Sequence, residues 1–207
     1  MTETIKGGQT RDRILKRTRE ILITRGFYNT SINDIVVGTG VKKGNLYYHF
    51  SSKEDLGIAV LQDAKEDFFK FLESAFSGDN PLDCLRNFLD AILNEQRKKN
   101  FVGGCLFGNT ALEMSDNNPE FARIINEIFR RWAGIIEGYL NEAIARGDLL
   151  TAFNPYQLSE LIIAAIEGGI MMARVSKEGR ELAGCIESLK KLLASNPRNV
   201  APLQTAQ

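Results

Sequence analysis

Apolar residues recur three and four positions apart along almost the whole chain, and runs with strand-like alternation are missing. That spacing puts apolar side chains on one face of a helix, so the fold class expected is all-α, with about nine amphipathic helices. Ile14, Leu15, Ile21 and Leu22 form one side of a first helix whose other side is rich in Arg and Lys, and Gly26 ends it. Ser31, with Asp34 three residues on, makes a box-like start for a second helix with Ile32, Ile35 and Val36 on its buried side. The turn Gly38-Thr39-Gly40-Val41 leads to a third helix of about two turns. Ser52 opens a fourth, with Glu54 and Asp55 where the helix dipole favours negative charge, and Leu56, Val60, Ala64, Phe68 and Phe71 as its stripe. Pro81 starts a fifth, and CLFGNTALEM after Gly103-Gly104 a sixth. Asn118-Pro119 and Asn154-Pro155 introduce two long helices, the second through Met172, and Glu178 to Ala194 makes the last.

At 207 residues the chain has room for a small module joined to a larger body, read as residues 9–55 and 56–195, with 196–207 a disordered tail. The formal charge is zero but unevenly spread: residues 1–55 hold ten Lys or Arg against six Asp or Glu, and the remainder 16 against 20. A front of +4 on a body of −4 suits an N-terminal module for a polyanion. Three widely spaced cysteines, Cys84, Cys105 and Cys185, point to reduced thiols rather than a disulfide framework or metal site. The start MTETIKGGQT lacks the apolar stretch of a signal peptide, and the run LIIAAIEGGIMMA is too short to span a bilayer, so a cytoplasmic protein with no membrane partner is expected. Hydrolase, Walker-type and dinucleotide glycine motifs are missing, and His49 is the sole histidine; neither catalysis nor a metal or other cofactor is expected.

The stretch VKKGNLYYHF crowds long polar side chains onto the short third helix. Three helices with a glycine turn between the second and third make a helix-turn-helix, whose last helix enters the major groove of DNA. Lys42 and Lys43 can reach guanine edges or phosphates, Asn45 a base edge, and Tyr47 and Tyr48 can donate to phosphate oxygens, while Leu46 and Phe50 fit a core. A helix-turn-helix that mediates contacts without sequence-specific DNA binding is the alternative.

Val41, Lys43, Gly44, Tyr47, Phe50, Lys53 and Leu56 fall on a spaced pattern, V-x-K-G-x-x-Y-x-x-F-x-x-K-x-x-L, which resembles the DNA-binding domain of the TetR family of bacterial regulators. Val36, Gly38, Thr39, Lys42 and Asn45 depart from the family's commoner residues, so the operator sequence does not carry over. The resemblance implies a ligand-responsive repressor that binds a palindromic double-stranded operator as a homodimer and is released by a small-molecule inducer. Its DNA-contacting set would be Thr30 and Ser31 at the second helix, Lys42, Lys43 and Asn45 in the groove, and Tyr47, Tyr48, His49 and Lys53 on the backbone. The last two helices would pair across a two-fold axis through Leu158, Leu161, Ile162, Ala165, Gly169 and Met172, with Leu182, Ile186, Leu189 and Leu193; the same stripes could equally face their own subunit's core.

The body must hold the signal. Phe107, Phe129, Trp132, Tyr139 and Met171 would line a pocket or serve as plain core, and Asn109, Glu113 and Glu167 would need partners if buried, a ligand among the choices. GGCLFGNTALEM resembles the N-ethylmaleimide-type repressors of the family, in which a similar turn carries a cysteine that senses electrophiles. Cys105, behind two glycines at a helix start, is either such a sensor with an activated thiol or a small buried hydrophobe.

Overall fold

The computed structural model describes residues 2–194, with side chains from residue 8 onward, so the stretch read as a tail, 196–207, lies outside it. Among the described residues there are nine helices and no strand. In α1 (Thr2–Arg25) the helix stops where Gly26 turns to a left-handed φ of 83°. In α2 (Ile32–Thr39) both halves of a capping box form between Ser31 and Asp34. The Ser31 hydroxyl and N–H, helped by the Arg25 guanidinium, hold the Asp34 carboxyl below the usual carboxylate range. A depressed carboxylate stabilises above its unfolded pKa, so this cap contributes at neutral pH and fades as the pH falls through the lowered folded value. Gly40, at φ 68°, then takes the left-handed turn into α3 (Lys43–His49).

Ser52 Oγ accepts the Asp55 N–H at the start of α4 (Lys53–Ala75). Asn80 caps α5 (Pro81–Lys98) and Cys105 caps α6 (Leu106–Met114). Asn118 Oδ1 accepts the N–H groups of Glu120 and Phe121 at the start of α7 (Pro119–Ala145). Asn154 does the same for Tyr156 and Gln157 in α8 (Pro155–Ser176). That helix runs a turn beyond Met172, because no residue breaks it until Lys177 adopts φ 63°; the turn consumes residues 177–179 and α9 (Arg180–Ala194) starts later than Glu178.

Packing gathers these helices into two compact units. One unit takes the described residues up to Phe71 with Val102–Phe129, the other Leu72–Phe101 with the described residues from Arg130 onward. The physical reason is that α6 packs on α1, so a segment remote in sequence joins the first helices. In the first unit Ile14, Ile35, Leu46, Leu56 and Leu61 are buried together with Phe121 and Ile124. In the second, Phe76 lies stacked between Phe88 (4.4 Å, 9°) and Tyr139 (4.7 Å, 6°), and Phe88 meets Trp132 edge-on at 6.2 Å. There α9 packs on both α8 and α5, and Lys190 Nζ reaches both Asp90 oxygens at 2.6 Å. No helix among the described residues is long and apolar enough to cross a membrane.

Phe88 is fully buried with aromatic neighbours on two sides. Its truncation removes a large apolar side chain that flat stacked rings cannot close over, so Phe88→Ala should lower unfolding free energy by about 3–5 kcal/mol. Urea titration at fixed protein concentration checks this through the midpoint at constant slope.

Candidate nucleic-acid interface

With only seven residues, α3 cannot hold its shape by propensity alone and depends on apolar anchors. Val41 before it, Leu46 within it and Phe50 at its end are all buried. Arg11 of α1 stacks its guanidinium 5.3 Å above the Phe50 ring. With that face fixed inward, Lys42, Lys43, Gly44, Asn45, Tyr47 and Tyr48 all stand exposed, Tyr48 at 83%. Lys43 Nζ lies 5.9 Å from the Tyr47 ring centre, and Tyr48 packs edge-on against a half-buried His49 at 5.1 Å. Lys42 is the N-cap residue but makes no side-chain cap, so its ammonium is not committed there. The first turn thus offers two ammonium groups and a carboxamide, with the two tyrosines next in the chain, on one solvent-facing surface.

Two of the residues expected at phosphates are engaged elsewhere. Thr30 is 0% exposed, and its Oγ1 donates to the Gly26 carbonyl at 2.7 Å; its side chain is a loop brace and not a surface donor. Lys53 Nζ donates to the carbonyls of Phe27 and Thr30, each at 3.0 Å, and lies 4.3 Å from the Phe27 ring centre. Its charge is spent on the loop between α1 and α2. Ser31 remains exposed, though its hydroxyl is tied into the α2 cap.

Two of the polar residues embedded in apolar runs have hydrogen-bond partners within the protein. Glu113 Oε2 accepts the N–H groups of Phe27 at 2.6 Å and Tyr28 at 3.1 Å, and Asn109 Nδ2 donates to the Gly103 carbonyl at 2.7 Å. Cys105 is half-buried, and its Sγ accepts the Gly108 N–H at 3.5 Å. Phe107 is buried against Phe68, with ring centres 5.4 Å apart, and Phe129 is half-buried. All five belong to the first unit. In the second, Trp132 is core and Tyr139 is half-buried in the Phe76 stack, where burial raises its phenol pKa. Glu167 is half-buried, and Met171 is 59% exposed, so it points away from any lining of its own unit.

The stripes of α8 and α9 divide likewise. Leu158, Ile162 and Gly169 are buried with Leu182, Ile186, Leu189 and Leu193 where α8 packs on α9. Leu161 and Met172 are exposed and Ala165 is half-buried, and with Ala164, Gly168, Met171 and Val175 they form a second apolar face along α8. Helical periodicity marks both faces but not which of them looks inward. The bonds made by Lys53 and Glu113 to the loop had no local signal either, since Glu113 and Phe27 are 86 positions apart.

The description "Bacterial regulatory proteins, tetR family" matches residues 14–60, and "Tetracyclin repressor-like, C-terminal domain" matches residues 81–189. The crystal structure of a TetR transcriptional regulator from Chloroflexus aurantiacus is similar at 30% identity and a TM-score of 0.85, over 92% of this chain and 97% of that one. An uncharacterized HTH-type transcriptional regulator of Lactococcus lactis is 29% identical, over 87% of this chain and 91% of its own length. The Escherichia coli repressor NemR, in its reduced form, shares the fold at 22% identity and a TM-score of 0.82, over 91% and 98% of the two chains. On the match of both domains, this chain belongs to the TetR family of bacterial transcriptional regulators.

Proposed function

We propose that the protein is a transcriptional repressor that binds a palindromic operator as a homodimer and leaves it when a small molecule or reactive electrophile engages the helical body. The observation that carries this reading is the exposed first turn of α3, where Lys42, Lys43 and Asn45 stand free of the core on a helix pinned by Val41, Leu46 and Phe50. A rigid helix with outward-facing donors suits contact with phosphates through its lysines and with base edges through Asn45, since little side-chain framework must be ordered on binding. Ser31, Tyr47, Tyr48 and His49 would contact backbone, and Lys53 would support them from behind. The similar protein NemR is an HTH-type transcriptional repressor, which favours repression, and a DNA-bound regulator would work in the cytoplasm.

One reading head covers too few base pairs for a specific site, so two must act about 34–36 Å apart. The second apolar face of α8 supports self-association: Leu161, Ala164, Gly168, Met172 and Val175 recur at helical spacing on a stripe that α9 leaves uncovered, with Val175 82% exposed. Two such stripes with the adjoining α9 helices would make a four-helix bundle, the small residues letting the helices approach. For the signal, Cys105 at the head of α6 is the residue best suited to react with an electrophile: two glycines precede it and its sulfur faces an N-terminal N–H.

Three outcomes test this. Lys43→Ala should weaken binding to all duplexes and reduce the slope of log affinity against log salt by about one for each phosphate no longer neutralised, whereas Asn45→Ala should change which sequences are selected, at about 1–3 kcal/mol of discrimination. Equal affinity of the wild type for every duplex at all salt concentrations would count against the regulator reading. Gly168→Glu adds a side chain where nothing lies within 4 Å in the subunit, so the fold should persist while sedimentation gives a monomer that no longer holds the operator. Treatment with N-ethylmaleimide should release operator from the wild type and not from Cys105→Ser; release from both would remove Cys105 as the sensor.

A further inference from the structure

The loop joining α1 to α2 is gripped on its two polar sides by ionised side chains from two other helices. From α6, the Glu113 carboxylate accepts the N–H groups of Phe27 and Tyr28 at 2.6 and 3.1 Å. From α4, the Lys53 ammonium donates to the carbonyls of Phe27 and Thr30 at 3.0 Å each. The Phe27–Tyr28 peptide is held from both ends, its carbonyl by Lys53 and its N–H by Glu113, and a charged partner makes each bond stronger than a neutral one. The fit is close: Gly26 turns beside the Glu113 carboxylate, and a Cβ there would collide with it. Arg25, which ends α1, pairs instead with Asp34 at 3.2 Å.

The reading head begins where this loop ends. Thr30, braced on Gly26, leads directly to the Ser31 cap of α2, and α2 packs on α3. We infer that Glu113 is a positioning residue of the reading head: its carboxylate fixes the α1–α2 loop against Lys53, and without that hold the loop is freed and the grip on DNA weakens. The inference deepens the repressor reading and rests on it. Once freed, the loop must be reordered each time the head engages a groove, and that ordering opposes binding. Glu113 is then a positioning group, its carboxylate directed at backbone rather than at an inducer.

The test uses the full-length protein, a duplex selected by the wild type from a random pool, and hydrogen exchange measured on the DNA-free protein. Glu113→Ala should bind that duplex on the order of tenfold more weakly, with the same sequence preference and an unchanged salt slope, because every group that meets a phosphate is still present. The Phe27 and Tyr28 amides should exchange faster while those of α8 and α9 keep their protection. Glu113→Gln retains an oxygen that can accept the same N–H groups and should restore most of the affinity and the slow exchange. Wild-type affinity together with wild-type exchange in Glu113→Ala would overturn the inference. So would loss of protection spreading through α8 and α9, which would make Glu113 a general stabiliser. Failure of Glu113→Gln to recover either readout counts against it as well. If the wild type selects no duplex, the repressor reading fails by itself, and the exchange rates still decide whether the carboxylate holds the loop.

Discussion

Much of the first unit depends on where one ring sits. Phe27 leaves the end of α1 and is buried edge-on against Phe121 of α7, with ring centres 5.2 Å apart. It can enter because α4 carries Gly57 at that point, where a Cβ would come within 2.6 Å of the ring. Burying a phenylalanine stabilises by about 1.5–3 kcal/mol, but burial alone has no direction. Direction comes from the polar groups of the same residue, whose N–H is taken by α6 and whose carbonyl is taken by α4. Apolar packing thus sets the depth of the loop and charged hydrogen bonding sets its orientation, and the start of α2 inherits both.

The second unit is organised by flat stacking. Phe76 between Phe88 and Tyr139 leaves interplanar angles of 9° and 6°, and Trp132 closes the edge of Phe88. A ligand entering such an interior would have to replace contact with contact, because a close-packed core yields little room without strain. An aromatic stripe at helical spacing therefore serves first as core for Trp132, while Met171, expected beside it, faces solvent.

How much of this could be read from the chain depended on the range of the interaction. Helix starts were legible because a cap is a contact within three residues: Ser31 with Asp34, Asn118 before Pro119, Asn154 before Pro155. The exposed set of α3 was legible too, since the positions of Leu46 and Phe50 leave Lys43, Asn45 and Tyr48 on the other side. What escaped were choices made across the fold. Thr30 and Lys53 read as surface donors until their carbonyl partners were in place, and Glu113 read as a group in need of a partner, a ligand among the choices, because its partner lies 86 residues earlier. In α8, two apolar faces at one period look alike until α9 covers one of them.

The division of labour within α3 also bears on how such a protein changes over generations. The side chains that secure the helix and those that face outward are different residues, with Leu46 and Phe50 in the first group and Lys42, Lys43, Asn45 and Tyr48 in the second. Replacements at exposed sites away from packing and caps seldom disturb folding by more than about 0.5 kcal/mol. A lineage carrying this scaffold could therefore try new outward residues one after another, drifting towards other target sequences after gene duplication without passing through unfolded intermediates.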